Sequence, residues 1–388
     1  MWRNVASTAL SLIVVLLVVV GGLVAWGKTK YSEPGPLASA ICLRVEQGSN
    51  FARVSEALAA DGAVSSPAIF RMGAEYSGKS DALKAGSFLV PENASMEEII
   101  DIVTRGGAST CGTEIVYRIG VTANQFEVRE LDPATQRFVT RAEFSPSDAS
   151  VPADYVRLRD AGDTRFRVSV AEGATVWQIV DALNQADFLT GEVAGLPPEG
   201  MLAPDSYEVT GGEDRGEILA RMQAAQETRL AEAWANRADG LPYGSPQDAL
   251  IMASIVEKET GIASERRDVA SVFLNRLAQG MRLQTDPPTV IYGITNGQGT
   301  LGRGLRQSEL RSETPYNTYV IDGMPPTPIA NPGQSAIEAA LDPAQTDYIF
   351  FVAKTLNPAD GHVFSSTLDE HNSNVAKLRA LEAEQGSQ

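Results

Sequence analysis

The chain is poor in the residues that build metal and redox sites. Its 388 residues include two histidines, His362 and His371, and two cysteines, Cys42 and Cys111. With no close cysteine spacing, a His- or Cys-rich metal site is not expected, and the residues call for no cofactor. The two thiols can form one disulfide or stay apart, because sequence does not place their Cα atoms within bridging distance. Positive charge is scarce as well: 32 Lys and Arg stand against 49 Asp and Glu, a formal net charge of −17. Nucleic acid is therefore not an expected partner, since phosphate binding needs clustered cations. Wholesale electrostatic capture by an anionic lipid or wall surface is disfavoured too. A polyanionic partner must be held by shape, hydrogen bonds and stacking.

What is present fits a folded chain of more than one average domain, with 43 % apolar and 21 % charged residues. After Arg3 an uncharged apolar run extends from Ala9 to Trp26. At about 18 residues it approaches the ~20 needed to cross a bilayer. A cleavable signal peptide is the rival reading, but its apolar core is shorter and ends in small residues. Here Trp26 and Lys28 close the run, an interfacial aromatic and a basic stop. The expected organisation is a short cytoplasmic tail (1–8), a membrane anchor (9–27) and a linker (28–40) that includes Ser32 to Pro36. Flanking charges orient the anchor only weakly. The small amino-terminal side and the large acidic remainder favour the bulk lying outside.

An internal repeat follows. The segment from Val45 to Val64 aligns without a gap to that from Val170 to Leu189. Each reads as a strand-ending Val, a Gly turn, a polar cap and an amphipathic helix, with Val54, Ala57, Leu58 and Ile179, Ala182, Leu183 at helical spacing. A shorter third copy carries Ile99, Ile102 and Val103 on one face and closes on Gly106. These βα units resemble LysM modules, a fold often used to grip amino-sugar glycans; a small packing domain without ligand is the alternative. The expected boundaries are a LysM-like region at 41–106, a β-rich insertion at 107–164 and a second LysM-like repeat at 165–198. In the insertion EIVYRIGV, RFVTRAEF and YVRLRD read as short β segments. The fold class is thus α+β, ending in a mainly helical domain at 199–384. There Arg215 to Trp234 is a plausible helix.

The densest signal starts at Ser245. Ser245 is a good N-cap, Pro246 fits the first helical position, and Asp248 stands where a capping-box acid belongs. The helix runs to Thr260, with Gly261 expected to stop it in a left-handed conformation. Apolar residues from Ala249 to Val256 surround most of it, so it is a buried helix. Glu257 shares the one polar sector with Ser254 and Lys258, whereas Glu259 falls between the directions of Met252 and Ile255. Apolar neighbours raise a carboxyl's pKa, which is what a general acid needs near neutral pH. The competing reading is a terminal glutamate that frays into solvent. A second helix is expected from Ser264 to Gln279, with Gly280 as terminator. Gln284, Thr285 and Asp286 then form a polar turn. The stretches from Thr314 to Gly333 and from Gly361 to Asn372 supply polar aromatic loops able to stack on sugar rings.

ASIVEKET, LQTDPPTVIYG, the YNTY–GMPP–PIANPG run and GHVF…EHN, in that order and together with EGMLAPDSYEV, closely resemble the YceG-like family of endolytic murein transglycosylases. The likeness covers Glu199 to Leu378 and reaches more faintly over the repeats. It implies a single-pass inner-membrane protein whose bulk lies in the periplasm, acting on peptidoglycan glycan strands. It also implies a role in ending nascent strands alongside penicillin-binding synthases and the elongation or division machinery. The family's catalytic glutamate maps to Glu259, the residue that helix geometry also selects. Gln284, Asp286, Tyr316, Asn317 and His371 are candidates for orienting Glu259 or binding the sugars. Two departures stand out: an extra proline at Pro287–Pro288, and an insertion larger than the family plan. On this reading Glu259 protonates the oxygen between N-acetylmuramic acid and N-acetylglucosamine, then takes the proton of the muramyl 6-hydroxyl as a 1,6-anhydro ring closes. The rivals are a hydrolytic muramidase, which needs a second carboxylate such as Asp286 or Glu370, and a non-catalytic wall-binding scaffold.

Overall fold

The computed structural model describes residues 2–105, 110–285 and 287–385. Gly106, expected to close the third repeat, and Asp286 lie outside them. The chain divides into two compact units, residues 1–115, 127–143 and 149–166 on one side and 116–126, 144–148 and 167–388 on the other.

In the first unit the apolar run forms helix α1, Trp2–Ser32. Its Leu10–Ser32 portion is long and apolar enough to cross a bilayer, and none of it is buried. The segment after it does not hang free, since Gly35 donates to the Asn93 carbonyl at 3.0 Å and Asn93 donates to Leu37 at 2.9 Å. Next come β1 (Ile41–Val45), α2 (Phe51–Ala60), α3 (Pro67–Tyr76), β2 (Gly86–Val90) and α4 (Met96–Thr104). The strands pair antiparallel, Ile41 opposite Val90 and Val45 opposite Gly86. Asn50, Ser66 and Ser95 cap the three helices with side-chain oxygens, Ser95 in a full capping box with Glu98. Leu43, Val54, Leu58, Phe70, Phe88, Ile99 and Val103 form the core. Cys42 and Cys111 are joined as a disulfide, their Cα atoms 5.6 Å apart.

The stretch expected to be a separate β insertion is built differently. It contains β3 (Thr113–Ile119), β4 (Asn124–Asp132), β5 (Arg137–Phe144) and α5 (Ala153–Arg159), followed by β6 (Arg165–Val170). YVRLRD is helical over most of its length rather than a strand, and the strand through Phe126 and Val128 was not expected. Nor does a subdomain close at residue 164. With β7 (Ser206–Val209), the strands form one five-stranded sheet in the order β5-β4-β3-β6-β7.

The second repeat holds as a plan: β6 ends at Val170, Gly173 turns, and Thr175 caps α6 (Val176–Gln185) in a capping box with Gln178. Then follow α7 (Arg215–Ala235), α8 (Pro246–Glu259), α9 (Arg266–Ala278), α10 (Pro288–Thr295), α11 (Gln334–Leu341), the antiparallel pair β8 (Phe350–Ala353) and β9 (His362–Ser365), and α12 (Leu368–Gln385). Helix α8 is the hub, packed by α7, α9, α10 and α11. Its Leu250, Met252, Ala253, Ile255 and Val256 share a core with Val269, Phe273, Leu283, Ile329 and Ile337. The second unit is therefore organised around the helix that ends in Glu259.

Candidate active site

Ser245 and Asp248 cap α8 reciprocally and Pro246 opens it, so its start is fixed by local chemistry. Its sides are fixed by packing. The polar sector anticipated at Ser254, Glu257 and Lys258 faces protein, Ser254 buried and the other two half-buried. Ser254 is fully buried, donating to the Ile251 carbonyl at 2.7 Å and accepting from the Ile329 amide at 3.0 Å. Glu257 accepts from Arg266 at 3.2 Å and from the Gly333 amide at 2.9 Å. Lys258 donates to the Gly173 carbonyl at 3.2 Å. Burial pushes the Glu257 carboxyl up and the Lys258 ammonium down from their ordinary pKa values. Three polar side chains thus pin α8 to neighbouring loops. Gly333 is needed for this, because a Cβ there would lie 1.8 Å from Glu172 Oε1, whose carboxylate also meets Arg266 at 3.3 Å.

Helix α8 ends without the expected left-handed glycine. Thr260 takes an extended backbone (φ −144°, ψ 129°) and Gly261 has no positive φ. The extended residue is stabilised by its own burial and by the Ile262 amide, which donates to Thr260 Oγ1 at 3.0 Å. Breaking the helix there leaves Glu259 as its last residue. Glu259 does not fray into solvent: it is half-buried, and its Oε1 is wholly so. It lines a pocket of ≈ 680 Å³ with Thr260, Ile262, Leu356, His362 and Leu378.

The surroundings of Glu259 are not only apolar. Arg276, on α9, is buried and lies within electrostatic reach of the Glu259 and Tyr319 side chains. Its Nε donates to the Ile349 carbonyl at 2.7 Å, and Nη1 donates to Leu283. Burial lowers the guanidinium's pKa, and those two neighbours oppose the shift. The helical projection pointed to Met252 and Ile255 and carried no trace of a cation delivered from another helix. His371 joins the same cluster by stacking on Phe350 at 4.9 Å.

The remaining candidates are dispersed. Gln284 is exposed and left-handed (φ 48°), its amide donating to the Thr318 carbonyl at 3.2 Å. Beside it Thr285, Thr289 and Thr318 hydrogen-bond to one another through their hydroxyls, at 2.8, 2.9 and 3.2 Å. The extra proline is accommodated as the opening of α10, with Pro288 as its first residue. Tyr316 hydrogen-bonds Thr327 at 2.9 Å, and its ring lies 4.9 Å from that of Tyr292. Asn317 is fully buried: its amide donates to the carbonyls of Glu309, Leu310 and Ser312, and its oxygen accepts from the Tyr319 amide. It shapes the loop that carries Tyr316. Of the candidates among the described residues, Glu259 alone lines the 680 Å³ pocket.

Sequence reasoning missed three residues here: Arg276, Glu265 and Glu199. Glu265 accepts from the His362 backbone amide and from its ring Nδ1, and Glu199 accepts from the Val176 amide at 2.9 Å and Tyr292 at 3.1 Å. Burial pushes the Glu199 carboxyl up to about 7. The only sequence signal was indirect, a glutamate in EGMLAPDSYEV and a glycine just before His362.

Comparison with known proteins gives a consistent picture. The family model described as the YceG-like family matches residues 142–377. An endolytic murein transglycosylase of Bacillus subtilis (strain 168) is 29 % identical over 356 residues, covering 91 % of this chain and 89 % of that protein. One from Streptococcus pneumoniae serotype 2 is 25 % identical over 87 % of this chain, which spans 58 % of that longer relative. The crystal structure of a yceG-like protein from Listeria monocytogenes aligns with a TM-score of 0.45 at 25 % identity, over 86 % of this chain and 98 % of that one.

Proposed function

Because this chain belongs to the YceG-like family, we propose that it is an endolytic murein transglycosylase with Glu259 as its proton donor. The observation that carries the assignment is the position of Glu259. It ends a helix held from every side, with one carboxyl oxygen buried and the group facing a pocket. A group that moves a proton to a glycosidic oxygen must be held within hydrogen-bond reach of it. The end of a helix packed by four others is suited to that demand.

The chemistry needs one carboxyl. Glu259 protonates the oxygen between N-acetylmuramic acid and N-acetylglucosamine as the C1–O bond breaks. The substrate's acetamido group shelters the oxocarbenium-like centre. Ionised Glu259 then recovers a proton from the muramyl 6-hydroxyl as that oxygen closes on C1. The buried charge of Arg276, opposite in sign, favours the interval in which Glu259 is negative. No water is consumed.

Helix α1 serves as a single-pass inner-membrane anchor, with the bulk of the chain on the periplasmic side. The β1-α2-α3-β2 arrangement in the first unit, two helices on a two-stranded antiparallel sheet, supports the reading of a LysM-like glycan grip. On this assignment the enzyme ends nascent strands near the synthases that make them. Mass spectrometry of digested sacculi tests the chemistry: wild type should give 1,6-anhydro muramyl ends, and Glu259→Gln should lower their rate by about 10²–10⁴-fold. Reducing ends instead would identify a hydrolase. Binding without release of fragments would identify a scaffold.

A further inference from the structure

The site contains a second titratable group that the single-acid scheme leaves idle. His362 opens β9, paired with Ala353 of β8, and both residues line the pocket that contains Glu259. Its backbone amide donates to Glu265 Oε1 at 2.8 Å, and its Nδ1 donates to Glu265 Oε2 at 2.8 Å. Thr260, next to Glu259, donates to the same Oε2 at 3.5 Å. Phe351 meets the imidazole edge-on at 5.3 Å and Phe364 at 6.5 Å. The ring is therefore held at one edge by a carboxylate and on its sides by two phenyls.

That arrangement sets the tautomer. A carboxylate only accepts, so in the neutral ring the shared proton resides on Nδ1 and the lone pair on Nε2. Among the described residues no group hydrogen-bonds Nε2. The carboxylate–imidazole pair is the arrangement by which a histidine is oriented as an acceptor of hydroxyl protons. The preceding glycine makes it possible. Gly361 adopts φ 79° and ψ −155°, and a Cβ there would lie 2.1 Å from Glu265 Oε1.

Resting on the assignment of the site to murein cleavage, we propose that His362, oriented by Glu265, is a second catalytic residue that receives the proton of the attacking sugar hydroxyl. Glu259 gives its proton to the departing oxygen as the C1–O bond breaks, and once the acetamido group shelters C1 the 6-hydroxyl oxygen bonds to that carbon. Its proton passes to His362 Nε2. The resulting imidazolium faces the Glu265 carboxylate, which balances its charge. The proton then moves to ionised Glu259, directly or through pocket water, and both groups end as they began.

The test uses the full-length chain in detergent with purified glycan strands. His362→Asn keeps an N–H for Glu265 but has nothing at the Nε2 position. It should lower kcat about 10²-fold while leaving KM and the melting temperature near wild type. A kcat within threefold of wild type at unchanged melting temperature would overturn the proposal, leaving His362 a packing residue. For a destabilised variant the second measurement is rescue: added imidazole should raise turnover of His362→Ala in proportion to its free-base fraction. Absence of rescue across pH would equally overturn it. Glu259→Gln is assayed in parallel. If it turns over like wild type, the assignment of the site fails. If it is inactive while His362→Asn is not, only the role of His362 fails.

Discussion

Arg276 and His371 meet on the ring of Phe350: the guanidinium carbon lies 5.5 Å from the ring centroid and the imidazole stacks on the same ring at 4.9 Å. Helix α9 and helix α12 are thereby joined through one phenyl, on the side of α9 that also reaches Glu259. Burial first, and the positive charge of Arg276 second, hold the His371 pKa below its ordinary 6.5. The folded protein thus resists protonating this ring. The stability associated with it is complete above pH 6.5 and erodes as pH falls below that value. Imidazole NMR of wild type should show His371 titrating below 6.5, and Arg276→Gln should move it upward. A wild-type titration at or above 6.5 would show that the ring is not held as described.

The pair Glu257–Arg266 is expected to be costly to break on one side only. Their side chains are 4 % and 8 % exposed, so neither charge regains water when the other is lost. Arg266→Met should destabilise the second unit by about 3–5 kcal/mol, with the double variant Glu257→Gln/Arg266→Met recovering part of the loss. Thermal denaturation of the two decides the matter. A single variant that melts with wild type would show the pair to be dispensable.

Glu199 should make stability depend on pH. Its carboxyl rises from 4.5 to about 7 on folding, chiefly through burial. A raised carboxyl pKa stabilises the fold fully below 4.5, and that contribution disappears as pH climbs to about 7. The span corresponds to roughly 3 kcal/mol. Glu199→Gln keeps an acceptor for the Val176 amide and should flatten the melting profile between pH 5 and 7. An unchanged slope in that window would place the titration on another group.

Two glycines near the pocket should answer differently to alanine. At Gly361 the backbone lies where only glycine is comfortable, and the new methyl would strike Glu265. Gly361→Ala should cost about 1–3 kcal/mol and reduce turnover by displacing that carboxylate. At Gly261 nothing lies within 4 Å of the built Cβ and φ is not positive. Gly261→Ala should be neutral or stabilising by up to about 1 kcal/mol. Equal effects at the two positions would contradict the geometry.

Much of the local structure was written in adjacent residues. Ser245, Pro246 and Asp248 announced the start of α8, because a cap acts within one turn of the chain. The repeated Val–Gly–cap–helix plan was legible at Val45 and Val170 for the same reason, as was the apolar helix before residue 32. Adjacent residues misled where a short segment had two local solutions. YVRLRD went to helix, and α8 was stopped by an extended Thr260 in place of a left-handed Gly261.

What the sequence determined by itself is the set of residues that act through neighbours three or four positions away. Tertiary structure alone decided which distant groups share a site. Arg276 reaches Glu259 from another helix, and Glu265 meets His362 across 97 positions. It alone decided, too, that Cys42 and Cys111 are bonded and that the polar side of α8 is tied to neighbouring loops. The physical reason is range. Backbone hydrogen bonds and helical periodicity are short along the chain. Charge pairing, desolvation and disulfide closure depend on distance through space, which is set only when the whole core has packed.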